Sequence, residues 1–247
     1  MVVHGEDTTL PMSLDMMIVH CKAVRRGSNH VFVIGDLPFG SYEESAGHAL
    51  TSALRLVKEG GVDAVKIEGG TVSRIHAVRK MVDSGIAVMG HLGLTPQSVG
   101  VLGGFRPQGK TAEAAMDIFT SALKLQEAGC FAIVLECIPK VLADVITKAL
   151  SVPTIGIGAG DGTSGQILVF HDLLGFMQHP HHAKVAPKFC KQYANVGDNI
   201  QRALAEYVSE VSSRRFPSES FIPYEFEENE ISKFTERLKQ AGFAELT

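Results

Sequence analysis

Four polar side chains stand where short apolar runs of the sequence end. They are Asp36 after Val-Phe-Val-Ile-Gly, Glu68 after Ala-Val-Lys-Ile, His91 after Ala-Val-Met-Gly, and Glu136 after Ala-Ile-Val-Leu. Such runs are typical of buried strands, and parallel α/β folds gather their reactive groups at the carboxyl ends of the strands. Because a lone charge at a strand end ordinarily meets solvent or caps the next helix, the four residues indicate a site only if they face one another.

The predicted strand that ends at Glu68 carries two opposite charges on one side. Side chains alternate between the two faces of a strand, so Lys66 and Glu68 share a face. On a buried strand both charges need partners. The pattern supports two interpretations about equally: a structural ion pair and a functional site. Two carboxylates and an ammonium that face one cavity would suit a hard divalent cation with an open position for an anionic substrate.

Glu136 and His91 are candidates for other roles. Glu136 shares a strand face with Ala132 and Val134 and has no charged partner nearby in the sequence, so it is free to act as a base. His91 is a candidate hydrogen-bond donor to the substrate, although a histidine at a strand end is nearly as often structural.

Three further features carry weaker signals. The stretch 160–165 matches GxGxxG, but a strand-like run follows it, which favours a turn between two strands over a dinucleotide site. His179, His181 and His182 crowd one loop without the separated second ligand pair of a zinc site, which favours a solvated loop. The loop 103–109 is either a mobile lid or an ordinary connection.

An alternating pattern of strands and helices positions these side chains. From residue 31 onward the pattern has the βα rhythm of a parallel sheet covered by helices. Strands are predicted at 31–35, 62–67, 86–90, 131–136, 153–158 and 166–171. Helices are predicted at about 12–26, 43–59, 71–84, 111–128 and 139–149, with helix-ending glycines at Gly60, Gly85 and Gly129. This rhythm does not separate a barrel from an open parallel sheet, and six strands cannot close an eight-stranded barrel.

The sequence divides into a core and an extension. Residues 1–213 are predicted to form the α/β barrel domain, incomplete at its N-terminus because no strand precedes the first helix. The segment 187–213 supports a further helix of this domain. Residues 214–247 are predicted to be a C-terminal extension that includes a short amphipathic helix near 230–241.

Composition narrows the class of protein. At 247 residues, with 45% hydrophobic residues, a single domain with a substantial core is expected. The net charge of −4 and the scattered basic residues argue against a nucleic-acid partner. The four cysteines lack zinc-type spacing, and no disulfide is expected. No apolar run reaches the roughly 18 residues of a spanning helix and no targeting segment is visible, so no membrane partner is expected and the chain as written would be cytoplasmic.

Six motifs, in order along the chain, resemble ketopantoate hydroxymethyltransferases. They are Asp36-Leu-Pro-Phe, Val65-Lys-Ile-Glu-Gly-Gly70, Gly90-His-Leu-Gly-Leu-Thr-Pro-Gln97, Leu135-Glu-Cys-Ile-Pro139, Ile155-Gly-Ile-Gly-Ala-Gly160 and Gly165-Gln-Ile-Leu-Val. The resemblance extends from His4 to about Arg215. The run from Gln178 to Tyr193 is similar to plant-type members, which implies a mitochondrial location.

The resemblance implies a fold and a reaction. The fold would be a (β/α)₈ TIM barrel of the phosphoenolpyruvate/pyruvate type, assembled as a homodecamer. The reaction would move a hydroxymethyl group from the co-substrate 5,10-methylenetetrahydrofolate to 3-methyl-2-oxobutanoate, which gives ketopantoate for pantothenate and coenzyme A.

The resemblance also implies residue roles. Asp36 and Glu68 would bind Mg²⁺, Asp36 and Lys66 would contact the substrate, and Glu136 would be the proton-abstracting base. His91 stays the candidate substrate contact named above, and no residue is assigned to the folate.

The chain departs from the family pattern at its front. Family members begin with two further strands, and the second ends in Val-Gly-Asp-Ser, which supplies a metal ligand and a substrate contact. The chain begins just after that motif, so two strands, one metal ligand and one substrate contact are expected to be missing. Two alternatives therefore stay open: a catalytically silent subunit of the same assembly, and a related metal-dependent lyase acting on another 2-oxo acid.

Overall fold

The structure, a computed structural model, describes residues 3–28, 30–176 and 187–246. Within these residues the chain forms two compact units, Met1–Tyr193 and Ala194–Thr247. The first unit contains the sheet. The boundary falls after Tyr193, whereas the sequence prediction set the end of the core domain at 213.

A parallel sheet of six strands forms the centre of the first unit in the described part of the chain. The strands are β1 Ile34–Asp36, β2 Ala64–Glu68, β3 Ala87–Gly93, β4 Ala132–Glu136, β5 Thr154–Ile157 and β6 Gly165–Gln166. Their order across the sheet is the order of the sequence. A doubly wound sheet reverses its strand order at a switch point, and this sheet does not. The structure therefore favours a partial barrel over the open doubly wound sheet.

Helices follow most of the strands. In the first unit they are α1 Leu14–Gly27, α2 Ala46–Arg55, α3 Val72–Asp83, α4 Val99–Leu102, α5 Ala112–Glu127, α6 Lys140–Ala149 and α7 Phe170–Leu173. A π-helical turn, Leu56–Gly60, continues α2, and a 3₁₀ turn, Pro96–Ser98, precedes α4. In the second unit, α8 is Val196–Ser212 and α9 is Glu228–Gln240, with 3₁₀ turns at Glu219–Phe221 and Ala244–Leu246.

Side-chain caps explain where several of these helices begin. Ser13, Ser45, Thr71 and Thr111 each accept a hydrogen bond from the backbone N–H three residues further on. Each cap satisfies one of the N–H groups that a helix leaves unpaired at its start. The helices that cover the sheet are therefore delimited by local sequence.

Alternation along the strands sorts side chains onto two faces of the sheet. Val65, Ile67 and Leu135 belong to the larger apolar core that also contains the buried helix residues. Ala132 and Val134 belong to a smaller cluster on the other face. The predicted pairing of Ala132 and Val134 on one face is thus confirmed, and this second face is the one that leads to the polar strand ends.

Two details of the prediction were wrong. The run 166–171 was predicted to be a strand, but the strand ends at Gln166 and Phe170–Leu173 forms α7. An apolar run of this length fits either a strand or the start of a helix. Gly60 continues the π turn, and Gly61 adopts the left-handed conformation instead, with φ 71°. The helix predicted within 187–213 is confirmed as Val196–Ser212. Gly85 and Gly129 do adopt the left-handed conformation.

All four cysteines lie within the described residues and are free. No helix among the described residues has the length and apolar character needed to cross a bilayer.

Candidate active site

The five residues singled out in the sequence meet at the carboxyl ends of β1 to β4. The strand register places Asp36 beside Lys66 and Glu68 beside His91. The next pairing places Gly93 beside Glu136. The structure therefore brings Asp36, Lys66, Glu68, His91 and Glu136 together.

Lys66 lies at the centre of this group. Its Nζ is 2.9 Å from Oδ1 of Asp36 and 3.8 Å from Oε1 of Glu68. It is also 3.2 Å from Nδ1 of His91. Burial lowers the pKa of Lys66, but the carboxylates of Asp36 and Glu68 outweigh burial and raise it. The ammonium therefore stays charged and bridges two strands.

The two carboxylates beside Lys66 differ in their environments. Burial is the largest influence on Asp36 and raises its pKa, although Lys66 opposes this change. Burial acts on Glu68 in the same direction, but hydrogen bonding to His91 and the charge of Lys66 outweigh it and lower the pKa of Glu68. Asp36 Oδ1 is enclosed and receives no aligned hydrogen bond despite its short contact with Lys66. Asp36 is thus the less fully satisfied of the two.

Glu68 is held with one oxygen turned away from Lys66. Its Oε2 accepts a hydrogen bond of 3.0 Å from the backbone N–H of Gln97. Its Oε1 faces Lys66 and lies 3.5 Å from Nδ1 of His91. The Glu68 side chain is only 3% exposed, so its Oε1 contacts the polar groups at the other strand ends and not solvent.

His91 connects Glu68 to Glu136. Its Nε2 lies 3.0 Å from Oε2 of Glu136. Burial and the charge of Lys66 lower the pKa of His91, but Glu136 and Glu68 outweigh both and raise it. The side chain of Glu136 is 16% exposed, more than that of either His91 or Glu68.

Close backbone contacts fix the position of Glu136. Its carbonyl oxygen accepts a hydrogen bond of 2.8 Å from the N–H of Leu94. A Cβ at Gly93 would lie 2.1 Å from that oxygen, so only glycine allows the approach. Cys137, the next residue, has a backbone φ of 50°, which residues other than Gly, Asn and Asp rarely adopt. Its N–H donates to Ile157 and its carbonyl accepts from Gln108, so both sides of this bend are held.

Sequence reasoning missed two buried polar residues beside the site. Gln97 ends the motif Gly90–Gln97, but the sequence pattern predicts no role for it and none for Tyr42. The Tyr42 hydroxyl donates to Oε1 of Gln97 at 2.6 Å, and Nε2 of Gln97 donates to the carbonyl of Leu37 at 2.8 Å. Burial, followed by Glu68, raises the pKa of Tyr42, which keeps its hydroxyl a donor. A polar residue next to Pro96 in a loop after a strand end was the available signal.

The weaker candidates have different outcomes. The stretch 160–165 lies between β5 and the start of β6, as the turn interpretation predicted. The loop 103–109 is tied to the site by Gln108, and its role as a lid stays a prediction. His179, His181 and His182 lie outside the described residues.

Comparison with known proteins gives one family. Residues 1–219 match the family model described as ketopantoate hydroxymethyltransferase. The chain is 58% identical over 243 residues to an Arabidopsis thaliana protein named 3-methyl-2-oxobutanoate hydroxymethyltransferase 1, mitochondrial; the match covers 98% of this chain and 70% of the relative. It is 59% identical over 242 residues to an Oryza sativa subsp. japonica protein named as the mitochondrial form 2, covering 98% of this chain and 60% of the relative.

A bacterial relative and a solved structure extend the comparison. A Heliobacterium modesticaldum protein named 3-methyl-2-oxobutanoate hydroxymethyltransferase is 52% identical over 217 residues, which are 88% of this chain and 76% of that protein. The crystal structure of a 2,3-dimethylmalate lyase aligns with a TM-score of 0.48 at 13% identity, covering 98% of this chain and 80% of that one. Similarity at that level says nothing about chemistry.

Proposed function

Because the chain belongs to the ketopantoate hydroxymethyltransferase family, we propose that it transfers a hydroxymethyl group from 5,10-methylenetetrahydrofolate to 3-methyl-2-oxobutanoate. The product is 2-dehydropantoate, or ketopantoate, an intermediate of pantothenate biosynthesis. The observation that carries the proposal is the meeting of Lys66, Glu68 and Glu136 around His91 at one sheet face. These groups supply the charges needed to bind a 2-oxo acid and to remove a proton from it.

The proposed metal is Mg²⁺, held by Asp36 and Glu68. Magnesium is usually bound by one or two carboxylates together with substrate oxygens and water, so this donor set fits. Oδ1 of Asp36 is enclosed without an aligned hydrogen bond, and both carboxylates already gather around one cation, Lys66. Among the described residues no group of three or more His, Cys, Asp or Glu side chains could hold a metal, so substrate and water oxygens would complete the shell. When bound, the ion would draw electron density from the 2-oxo group of the substrate.

Each side chain then has a role. Lys66 pairs with the substrate carboxylate, and Asp36 contacts the substrate beside it. Glu136, whose side chain is 16% exposed and lies 3.0 Å from Nε2 of His91, removes the proton from the carbon next to the 2-oxo group. His91 lies beside Glu136, with its Nε2 3.0 Å from Oε2 of Glu136, and faces the substrate. The carbon freed of its proton forms a bond to the methylene carbon of the folate, and both C–N bonds of that methylene break. Water supplies the hydroxyl oxygen, and tetrahydrofolate leaves with one proton from the substrate and one from the water.

The architecture and setting follow the family. We propose that the six described strands belong to a (β/α)₈ barrel, which their parallel and sequential order supports. Self-association into a homodecamer is proposed from the resemblance. A mitochondrial location is proposed because the plant relatives are named mitochondrial.

Product formation tests the proposed function. The purified chain, supplied with Mg²⁺, 3-methyl-2-oxobutanoate and 5,10-methylenetetrahydrofolate, is expected to form ketopantoate, measured by mass spectrometry. Omission of either organic substrate should abolish the product. A folded, magnesium-loaded sample that forms no product would contradict the proposal.

Substitution of the base tests its mechanism. Glu136→Gln keeps the shape of the side chain but removes the basic oxygen, so the turnover rate is expected to fall by about 10²- to 10⁴-fold. Glu127→Gln, at an exposed position on α5, is the matched control and should retain the wild-type rate. Equal rates for the two variants would exclude Glu136 as the base.

A further inference from the structure

Gln97 joins three segments of the chain beside the strand ends. Its backbone N–H donates to Oε2 of Glu68 on β2. Its side-chain Nε2 donates to the carbonyl of Leu37, the residue that follows Asp36, and its Oε1 accepts from the hydroxyl of Tyr42. One residue of the turn after β3 therefore binds the end of β2 and two points of the loop that follows β1.

Gln97 and its hydrogen-bond partners are buried, so bulk water cannot replace the hydrogen bonds between them. Gln97 is 8% exposed, Tyr42 is 2% exposed and Leu37 is fully buried. Both polar atoms of the amide are matched by a buried group of opposite type, so loss of either bond would leave an unsatisfied polar atom. Because these hydrogen bonds are costly to break, they fix the distance between the turn after β3 and the loop after β1.

The loop that contains Tyr42 is itself rigid. The guanidinium of Arg74 lies 4.5 Å above the Tyr42 ring and 3.3 Å from Oε1 of Glu43. Oε2 of Glu43 accepts hydrogen bonds from the backbone N–H groups of Gly40 and Tyr42. Gln97 is thus attached to a fixed support and not to a mobile strand end.

The backbone N–H of Leu37 connects the same loop to strand β2. It donates to the carbonyl of Lys66 at 3.0 Å, while the Leu37 carbonyl accepts from Gln97. The residue after Asp36 is held on both sides. Displacement of Gln97 would therefore move Asp36 and Glu68 together.

We propose that Gln97, supported by Tyr42, is a positioning residue that sets the separation of Asp36 and Glu68 for Mg²⁺ and the 2-oxo acid. The inference rests on the proposed function, since it assigns Gln97 an effect only through the proposed metal ligands. Gln97 acts on the affinity of the metal and substrate site and touches no reacting atom.

Two substitutions of different severity test the proposal. Gln97→Met keeps a similar volume and removes both side-chain hydrogen bonds, and Tyr42→Phe removes only the hydroxyl. The concentration of Mg²⁺ that gives half the maximal rate is expected to rise about tenfold in Gln97→Met and less in Tyr42→Phe, because a lost hydrogen bond of this kind corresponds to a factor of this order. KM for the oxo acid should rise with it. The double variant should be no worse than Gln97→Met alone, because both act through one connection.

A second glutamine serves as the structural control. Oε1 of Gln126 accepts hydrogen bonds from the backbone N–H groups of Ser151 and Val152, away from the strand ends. Gln126→Met is expected to lower thermal stability while the Mg²⁺ dependence stays that of the wild type. If Gln97→Met loses stability as Gln126→Met does but keeps the wild-type Mg²⁺ dependence and KM, the proposal is wrong.

Direct metal binding separates this inference from the proposed function. Mn²⁺ binding, followed by electron paramagnetic resonance in the presence of the oxo acid, is expected to weaken about tenfold in Gln97→Met. Should Gln97→Met fail to fold, the same titration of Tyr42→Phe decides, and unchanged affinity there overturns the inference. Absence of ketopantoate from the wild-type chain would contradict the proposed function, whereas wild-type Mn²⁺ affinity in the folded variants would contradict the inference.

Discussion

Lys66 has two functions at the residue scale. Its ammonium is part of the proposed substrate site, and it also compensates two carboxylates at the ends of neighbouring strands. Its side chain is only 18% exposed, so water could replace little of the positive charge that Lys66 provides to the two carboxylates. Removal of one partner from a buried ion pair costs more than the pair contributes, because the remaining charge loses its counterion.

Replacement of Lys66 should therefore destabilise the metal-free protein. Lys66→Met is expected to lower the free energy of unfolding by about 3 kcal/mol, measured in urea with a chelator present. Saturating Mg²⁺ should restore more stability to this variant than it adds to the wild type, because the ion supplies the missing positive charge. Lys58→Met, at an exposed position of the π turn, is the control. Equal effects of Mg²⁺ on the variant and the wild type would contradict the proposed metal ligands.

The sequence predicted the residues of the site that belong to strands, and missed those that belong to loops. Lys66 and Glu68 follow from alternation, which places residues two positions apart on one face. Gln97 contacts Leu37 and Tyr42 across 60 and 55 residues, and no local pattern encodes such a contact. The left-handed backbone of Cys137 was missed for the same reason, since tertiary hydrogen bonds hold it there.

At the scale of elements, a single ion pair joins the first helix to the edge of the sheet. Arg25 near the end of α1 donates to Oδ2 of Asp63 at 2.6 Å and to the carbonyl of Gly61 at 2.8 Å. Oδ2 of Asp63 also accepts from the N–H of Val33, just before β1. Helix α1, strand β1 and the start of β2 are thus connected through one carboxylate.

The stability supplied by Asp63 should depend on pH. The hydrogen bond from Val33, then that from Arg25, lowers the pKa of Asp63 in the folded state. A lowered pKa means that the stabilisation is present above the ordinary pKa of the carboxyl and is lost as the pH falls through the folded value. Asp63→Asn should therefore have a lower urea midpoint than the wild type at pH 7, and the difference should shrink below about pH 4. Asp83→Asn, at an exposed position, is the control, and a difference for Asp63→Asn that is constant with pH would contradict the prediction.

The rhythm of the elements was predictable, and their exact ends were less so. The first five predicted strands overlap the observed strands β1 to β5, because each is an apolar run between turn residues. The sixth was too long, since Phe170 and its neighbours form α7 where pairing with β5 stops after Gln166. The order of the strands, which distinguishes a partial barrel from a doubly wound sheet, depends on pairings between distant segments and was not available from rhythm.

At the scale of the whole molecule, the second unit presents an apolar face. Ile200, Leu204, Tyr207, Val208 and Val211 of α8 are all exposed. Their spacing of three, four and seven residues places them on one side of the helix. A stripe of large apolar side chains of this kind is typical of a surface that another chain covers, in keeping with the proposed self-association.

A charge on this face should weaken the assembly. The wild-type chain is expected to have a mass in solution that is a multiple of 26.5 kDa, about 265 kDa for a decamer. Leu204→Glu should shift the mass toward smaller species, measured by light scattering during gel filtration, because the buried carboxylate would lack a partner. Ala205→Glu adds the same charge beside the stripe and should leave the mass unchanged. A wild-type mass of 26.5 kDa would contradict self-association.

The sequential order of the sheet has a consequence for how the protein is made. Each of the described strands β2 to β6 pairs with the strand that precedes it in the chain. As the polypeptide leaves the ribosome, each of these five strands therefore finds one partner already synthesised. The sheet can lengthen at one edge in step with translation, so the end of β4 that carries Glu136 would arrive only after the other candidate site residues are in place.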